Sequence, residues 1–142
     1  MKQFEVRGMV LLAALAAFAA CQTVAPPTGA AEKPCPAGRA DVRAPVVCVD
    51  DSDLRDLRVH PEPVEVAHGS TVQWFTRTNR GNLTIVFDDP GAFEVTCREG
   101  SGYCTASPKA GAAAKSYKYS VKIAADGETY VLDPTVTVVA AR

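Results

Sequence analysis

Methionine, histidine and tryptophan are scarce in this chain of 142 residues, which holds two, two and one of them. Both methionines, Met1 and Met9, stand in the N-terminal segment, so the rest of the chain has no thioether to offer a metal. With only His60 and His68, a site built mainly of imidazoles is out of reach, since two such ligands seldom hold a metal without oxygen or sulfur partners. An excess of one charge is also missing: 15 basic and 16 acidic residues leave a net charge of −1. Arg39, Arg43, Arg55, Arg58, Arg77 and Arg80 are interspersed with acids, which gives no electrostatic footprint for a nucleic acid. The longest apolar run, the eleven residues from Val10 to Ala20, falls short of the ~20 that a spanning helix needs.

That run lies in a segment of recognisable shape. Lys2 and Arg7 precede it, the small residues Ala19 and Ala20 close it, and Cys21 follows directly. A removable secretory signal over residues 1–20 accounts for this order better than a buried helix, because the run has no polar face. Phe18-Ala19-Ala20-Cys21 resembles the lipobox of bacterial lipoproteins. The resemblance implies diacylglycerol transfer to the Cys21 thiol, cleavage before Cys21, and acylation of the new amino terminus, palmitate included. Several acyl chains together anchor firmly, at about 0.8 kcal/mol per buried methylene. The rival is ordinary cleavage a few residues upstream, which leaves Cys21 as a free thiol.

The cysteine count bears on that choice. There are five, Cys21, Cys35, Cys48, Cys97 and Cys104, and an exported chain with an odd number needs a reason for the one left over. Lipidation of Cys21 leaves four, which can form two disulfides in an oxidising compartment. Four cysteines allow three connectivities, and the sequence-local one, Cys35–Cys48 with Cys97–Cys104, is the one we favour. Neither pair has C-x-x-C spacing and no histidine adjoins either, so structural staples are expected rather than redox or metal work.

Residues 21–34 carry prolines, small residues and almost no large apolar side chain, the composition of a flexible tether. From Cys35 to residue 142 the pattern changes to short apolar runs of period two, separated by Gly, Pro and Asp. Strands are expected at Val46–Val49, at Val64 and Val66, at Val72 to Thr76, at Leu83–Phe87 and at Phe93–Thr96. Three more follow in "YKYSVKIA", "ETYVL" and "TVTVV", with residues 105–116 expected as a loop. Seven or eight short strands with frequent turn signals predict one all-β domain, an antiparallel Greek-key β-sandwich over residues 35–142.

"VEVAHGSTVQW" and "YKYSVKIAADGETYVLDPTVTV" resemble the opening and the close of the cupredoxin-like sandwich. Copper chemistry in that family needs two histidines, a thiolate and a weak axial methionine. The loop before the last strand, "AADGETYVLDP", has no Cys, His or Met, so a blue-copper centre is not expected here. His60 stands before Pro61-Glu62-Pro63 and His68 in a turn, both read as surface positions.

Three further stretches offer chemistry. "DDSDLRD", Asp50 to Asp56, is the densest acidic cluster, but it lacks the glycine and closing glutamate of an EF-hand loop and reads as a solvated turn. Trp74 shares parity with Val72 and is assigned to the core. Phe75 then points outward, as half of a partner-binding patch with Tyr103 or Tyr117. Ser70, Ser101 and Ser116 have no histidine and aspartate arranged to activate them, and "GSGY" is a flexible reversal.

The sequence therefore predicts an envelope lipoprotein attached to a membrane through acyl chains on Cys21. Gln22 in place of aspartate favours the outer membrane, facing the periplasm. Its domain is expected to be a non-catalytic binding or structural module, with no enzyme activity, no cofactor, no nucleic acid, and an envelope protein as possible partner. The alternative is a periplasmic copper-binding or relay protein using His60 and His68.

Overall fold

The computed structural model describes residues 33–35 and 41–141. The expectations for residues 1–20 and for Cys21 lie outside the described residues. Ten strands form two sheets around one apolar core: β1 (Val46–Asp50), β2 (Arg58–His60), β3 (Val64–Ala67), β4 (Val72–Thr76), β5 (Asn82–Phe87), β6 (Phe93–Arg98), β7 (Tyr103–Pro108), β8 (Ser116–Ala125), β9 (Glu128–Leu132) and β10 (Thr135–Val139). The front sheet runs β2-β1-β4-β7-β6. The back sheet runs β3-β10-β8-β5, with β9 also paired to β8. The all-β sandwich expected from period-two patterning is the observed class.

Alternation explains which residues meet in the middle. In the front sheet Val47, Val49, Val72, Trp74, Cys104, Ala106 and Phe93 are buried. The back sheet contributes Val64, Val66, Leu83, Ile85, Phe87, Tyr117, Tyr119, Val121, Ile123, Val136 and Val138. Aromatic rings fill the centre. Trp74 lies edge-on to Tyr119, with ring centroids 5.4 Å apart, and donates its indole N–H to the Tyr119 hydroxyl at 3.2 Å. Phe87 stacks on Phe93 at 3.9 Å, and Phe93 meets Tyr117 edge-on at 5.3 Å. Such contacts add about 0.5–1.5 kcal/mol each beyond area burial, and they tie both sheets to one centre.

The structure departs from the sequence reading in three places. Tyr103–Pro108 is strand β7, where a loop was expected from residue 105 on. Its inward positions are Cys104, Ala106 and Pro108, small or ring-locked groups that give no apolar alternation to read. Cys104 is the register partner of Trp74, so a small side chain lies beside the largest one. Arg58–His60 is the second unexpected strand, with Val59 as its single buried residue. Thirdly, two strand pairs are parallel, β1 with β4 and β3 with β10, where an antiparallel fold was expected. The cause is Pro61-Glu62-Pro63, which takes the chain from the edge of the front sheet (β2) to the edge of the back sheet (β3). Two prolines without N–H groups end the first ladder. β2 and β3 thus form one return passage, and β4 comes back in the same sense as β1.

The β8–β9 hairpin turns at Asp126 and Gly127, whose φ values of 53° and 78° are those of a two-residue type I′ turn. Asp133 and Pro134 then interrupt the chain, so that β9 and β10 share one side of the long strand β8.

Candidate functional site

The acidic stretch is a set of local anchors instead of a common ligand cluster. Asp51 is fully buried, and its carboxylate accepts the backbone N–H of Thr78 at 2.6 Å and of Arg80 at 3.0 Å. It therefore ties the end of β1 to the β4–β5 loop, which the reading of this stretch as a solvated turn did not foresee. Asp50 accepts from the Ser52 hydroxyl and amide and from Arg77. The Ser52 hydroxyl, ahead of the Arg77 guanidinium, holds the Asp50 carboxyl below the usual carboxylate range. Asp53 caps the short 3-10 turn Leu54–Asp56 by accepting from the Arg55 amide, and Asp56 pairs with Arg58. Each carboxylate is turned to its own neighbour. Among the described residues, no group of three or more His, Cys, Asp or Glu side chains is placed to hold a metal ion.

His60 is exposed at the end of β2 and His68 half-buried in the turn after β3. The four residues of β3 lie between them, a rise of about 13 Å. Among the described residues the cysteines are spent: Cys35 is bonded to Cys48 and Cys97 to Cys104. The residues of the sandwich do not fit a copper centre of the cupredoxin kind. His68, Glu65, Arg43 and Ser70 line a depression of about 730 Å³ beside the C-terminal end of β10. Serine hydroxyls elsewhere are committed to structural bonds: Ser101 to the Arg98 carbonyl, Ser107 to Thr71, Ser116 to Thr137 and Ser120 to Asp133.

The two disulfides lie on opposite faces of the front sheet. Cys97 and Cys104 are direct register partners across β6 and β7 and belong to the inner face, with Cα atoms 4.1 Å apart. Cys48 stands between Val47 and Val49, so it points to the outer face, and it is fully buried there in its bond to Cys35. Lys33 N–H also donates to the Arg77 carbonyl at 3.0 Å. Residues 33–35 are thereby pinned against the outside of the front sheet where β4 ends.

Beside that pinning point lies one row of side chains. His60, Cys48, Phe75, Tyr103 and Arg98 are successive register partners across β2, β1, β4, β7 and β6. Phe75 and Tyr103 are half-buried neighbours on this outer face. Of the two partners considered for Phe75, Tyr103 is the one placed with it. Tyr117 is a core residue whose hydroxyl donates to the Ala113 carbonyl, with the Lys115 ammonium 4.9 Å from its ring centre. Strand parity gives Tyr117 away in the sequence, since it shares a face with Tyr119, Val121 and Ile123. Arg98 and the outward placement of Cys48 were missed, and parity along "VVCVD" is the signal that would have found the latter. Among the described residues, the two exposed large apolar side chains, Val86 and Val131, lie on the outer face of the back sheet beside Ser120 and Lys122.

The chain matches no protein-family model and no curated protein sequence.

Proposed function

We propose that this chain is a lipid-anchored protein of the bacterial cell envelope whose sandwich acts as a non-catalytic binding or structural module. Cys21 carries the acyl chains, residues 21–34 form the leash, and the domain faces the periplasm from an outer membrane. One observation carries the reading. The four other cysteines are consumed in two disulfides within the folded domain, which leaves Cys21 outside both pairs and directly behind an apolar run. An exported chain that spends its cysteines in pairs has a specific use for the odd one. The likeness of "VEVAHGSTVQW" and "YKYSVKIAADGETYVLDPTVTV" to cupredoxin-like sandwiches belongs to the same reading: a scaffold of that type adapted to contact instead of electron transfer. Its binding surfaces are the outer faces of the two sheets, on which aromatic and β-branched side chains alternate with Lys, Arg, Thr and Ser.

Intact mass of the mature N-terminal peptide, together with membrane fractionation, tests this. The expected result is a triacylated Cys21 terminus in the outer-membrane fraction. A soluble chain that begins upstream of Cys21 and carries a titratable thiol refutes it. Proximity crosslinking in the native organism then identifies the envelope neighbours.

A further inference from the structure

We propose that the outer face of the front sheet, around Phe75, Tyr103 and Arg98, is the surface that the domain lays on the lipid bilayer. The inference rests on the acylation of Cys21 proposed above and adds to it an orientation and a contact.

The path of the chain makes the first argument. The leash ends where residues 33–35 are fixed, and the Cys35–Cys48 bond and the Lys33 amide fix them to the outside of the front sheet, beside Arg77. Between Cys21 and Lys33 lie eleven residues, a reach of at most about 40 Å fully extended. A domain of this size has a radius of gyration of about 13 Å and is thus some 33 Å across. A leash of that reach, attached to one face, brings that face within range of the membrane, and the side chains of the face then decide whether it stays there.

The chemistry of the face makes the second. Phe75 and Tyr103 sit side by side in the row, an apolar ring next to a ring with a hydroxyl. Such amphipathic aromatics favour the headgroup level of a bilayer. Arg98, next in the row, and Lys33, at the pinning point, are both exposed and present cations to lipid phosphates. Asp50, a carboxylate of the same face, is already answered by Arg77 at 3.2 Å. Gln73, Thr96 and Thr105 are the uncharged neighbours of that row, and the exposed Glu94 of the same face stands at the far end of β6 from Arg98, opposite Ser107.

The disulfide is what selects the face. Without it, the next described attachments are the Val42 carbonyl, accepting from the Ala67 amide, and the Pro45 carbonyl, accepting from the Gln73 amide. Gln73 is at the start of β4 and Arg77 follows its end, so the leash would join the domain at the opposite end of that strand and be longer by several residues.

The test uses the full mature chain, acylated in its host and reconstituted in nanodiscs of phosphatidylethanolamine and phosphatidylglycerol containing a gadolinium-chelate headgroup lipid. Paramagnetic broadening of backbone amide signals reads proximity to the lipid surface. Broadening several-fold greater at Phe75, Tyr103 and Arg98 than at Thr84, Val86 and Lys122 on the back sheet is the expected result. Equal broadening, or the reverse order, overturns the proposal. The Phe75→Ser/Tyr103→Ser variant and the Cys35→Ser/Cys48→Ala variant should stay membrane-bound and lose the bias. Persistence of the bias in either refutes the part assigned to that group, and circular dichroism of each variant shows that the sandwich is intact. A chain that mass spectrometry finds unacylated and that does not join the nanodisc overturns the anchoring itself. An acylated, bound chain without facial bias overturns only the orientation.

Discussion

Asp51 gives the sharpest test of how the sandwich is held together. Its carboxylate has no access to solvent and accepts two backbone N–H groups, from Thr78 and Arg80, in the loop that carries the chain from the front sheet to the back. In Asp51→Ala both donors lose a charged partner inside the protein. Hydrogen bonds to charged groups contribute about 1.5–3 kcal/mol each, and a buried donor left unpaired costs about 1–3 kcal/mol. Relief of the carboxylate's own desolvation offsets part of this. The expected net loss is about 3–5 kcal/mol, a large share of the ~5–15 kcal/mol that holds a domain folded. Asp51→Asn keeps one acceptor oxygen and turns an amide N–H₂ on the other donor, so it should lose about half as much.

Urea unfolding followed by the fluorescence of Trp74, the single tryptophan, provides the readout. The order expected in midpoint is parent, Asn, Ala, with an unchanged slope. Asp53→Ala serves as the surface control and should cost about 1 kcal/mol, the typical value of a capping residue. A loss under about 1 kcal/mol for Asp51→Ala would refute the anchor. A calcium-dependent rise in the parent's midpoint that Asp51→Ala abolishes would return the acidic stretch to the role of cation site.

Two further predictions follow from packing and from pH. Gly102 has φ of 59°, and a Cβ placed there would stand 2.1 Å from Thr76 Oγ1 and 2.7 Å from Asn79 Oδ1. Gly102→Ala should therefore cost about 2–5 kcal/mol in urea unfolding, from left-handed strain and overpacking together, while Gly100→Ala meets only the strain. Burial raises the Tyr119 phenol well above its ordinary value, with the Trp74 indole N–H working in the other direction. Because the folded state holds this proton more tightly than the unfolded one, its contribution to stability is complete below about pH 10 and is lost as pH rises beyond that. Tyr119→Phe should flatten the fall of stability with alkali, measured as urea midpoints across that range. An unchanged slope would mean that Tyr119 ionises freely in the folded protein.

Side-chain period made the class of fold legible, and where that period was silent the reading failed. Val72, Trp74 and Thr76 alternate with large inward groups, and β4 was visible from them. Cys104 and Ala106 alternate just as regularly in β7, but a small side chain facing Trp74 carries no hydropathy signal. The crossover at Pro61 and Pro63 is local and legible as a break. Its consequence, two parallel pairings, depends on which sheet edge the chain joins next, and no short stretch encodes that. The site shows the same division. Phe75 outward and Trp74 inward follow from adjacency in a strand, while the choice of Tyr103 as neighbour required the register of β4 against β7. Asp51 looked like the other acids around it, since its burial is decided by amides from residues 78 and 80.

The two disulfides span sequence separations of 7 and 13, and a chain-entropy argument assigns about 2.5 kcal/mol to Cys97–Cys104 and about 3 kcal/mol to Cys35–Cys48. Their surroundings make the measured effects differ. Cys97 and Cys104 are one register pair of six between β6 and β7, flanked by Thr96 with Thr105 and by Arg98 with Tyr103. The native hairpin persists without the bond, so Cys97→Ala/Cys104→Ala should lose nearly the full entropic amount, as a lower urea midpoint. At Cys35 the situation is reversed. Residues 33–35 have the Lys33 amide as their described backbone bond to the domain. Once Cys35–Cys48 is removed, that segment is able to come away, and the folded state recovers part of the freedom that the unfolded state gains. Cys35→Ser/Cys48→Ala should therefore shift the midpoint by clearly less than about 3 kcal/mol implies, while speeding hydrogen exchange at the Lys33 amide that donates to Arg77. Equal midpoint losses in the two variants, with unchanged exchange at the Lys33 amide, would show that residues 33–35 belong to the cooperative core and are not held to it by one bond.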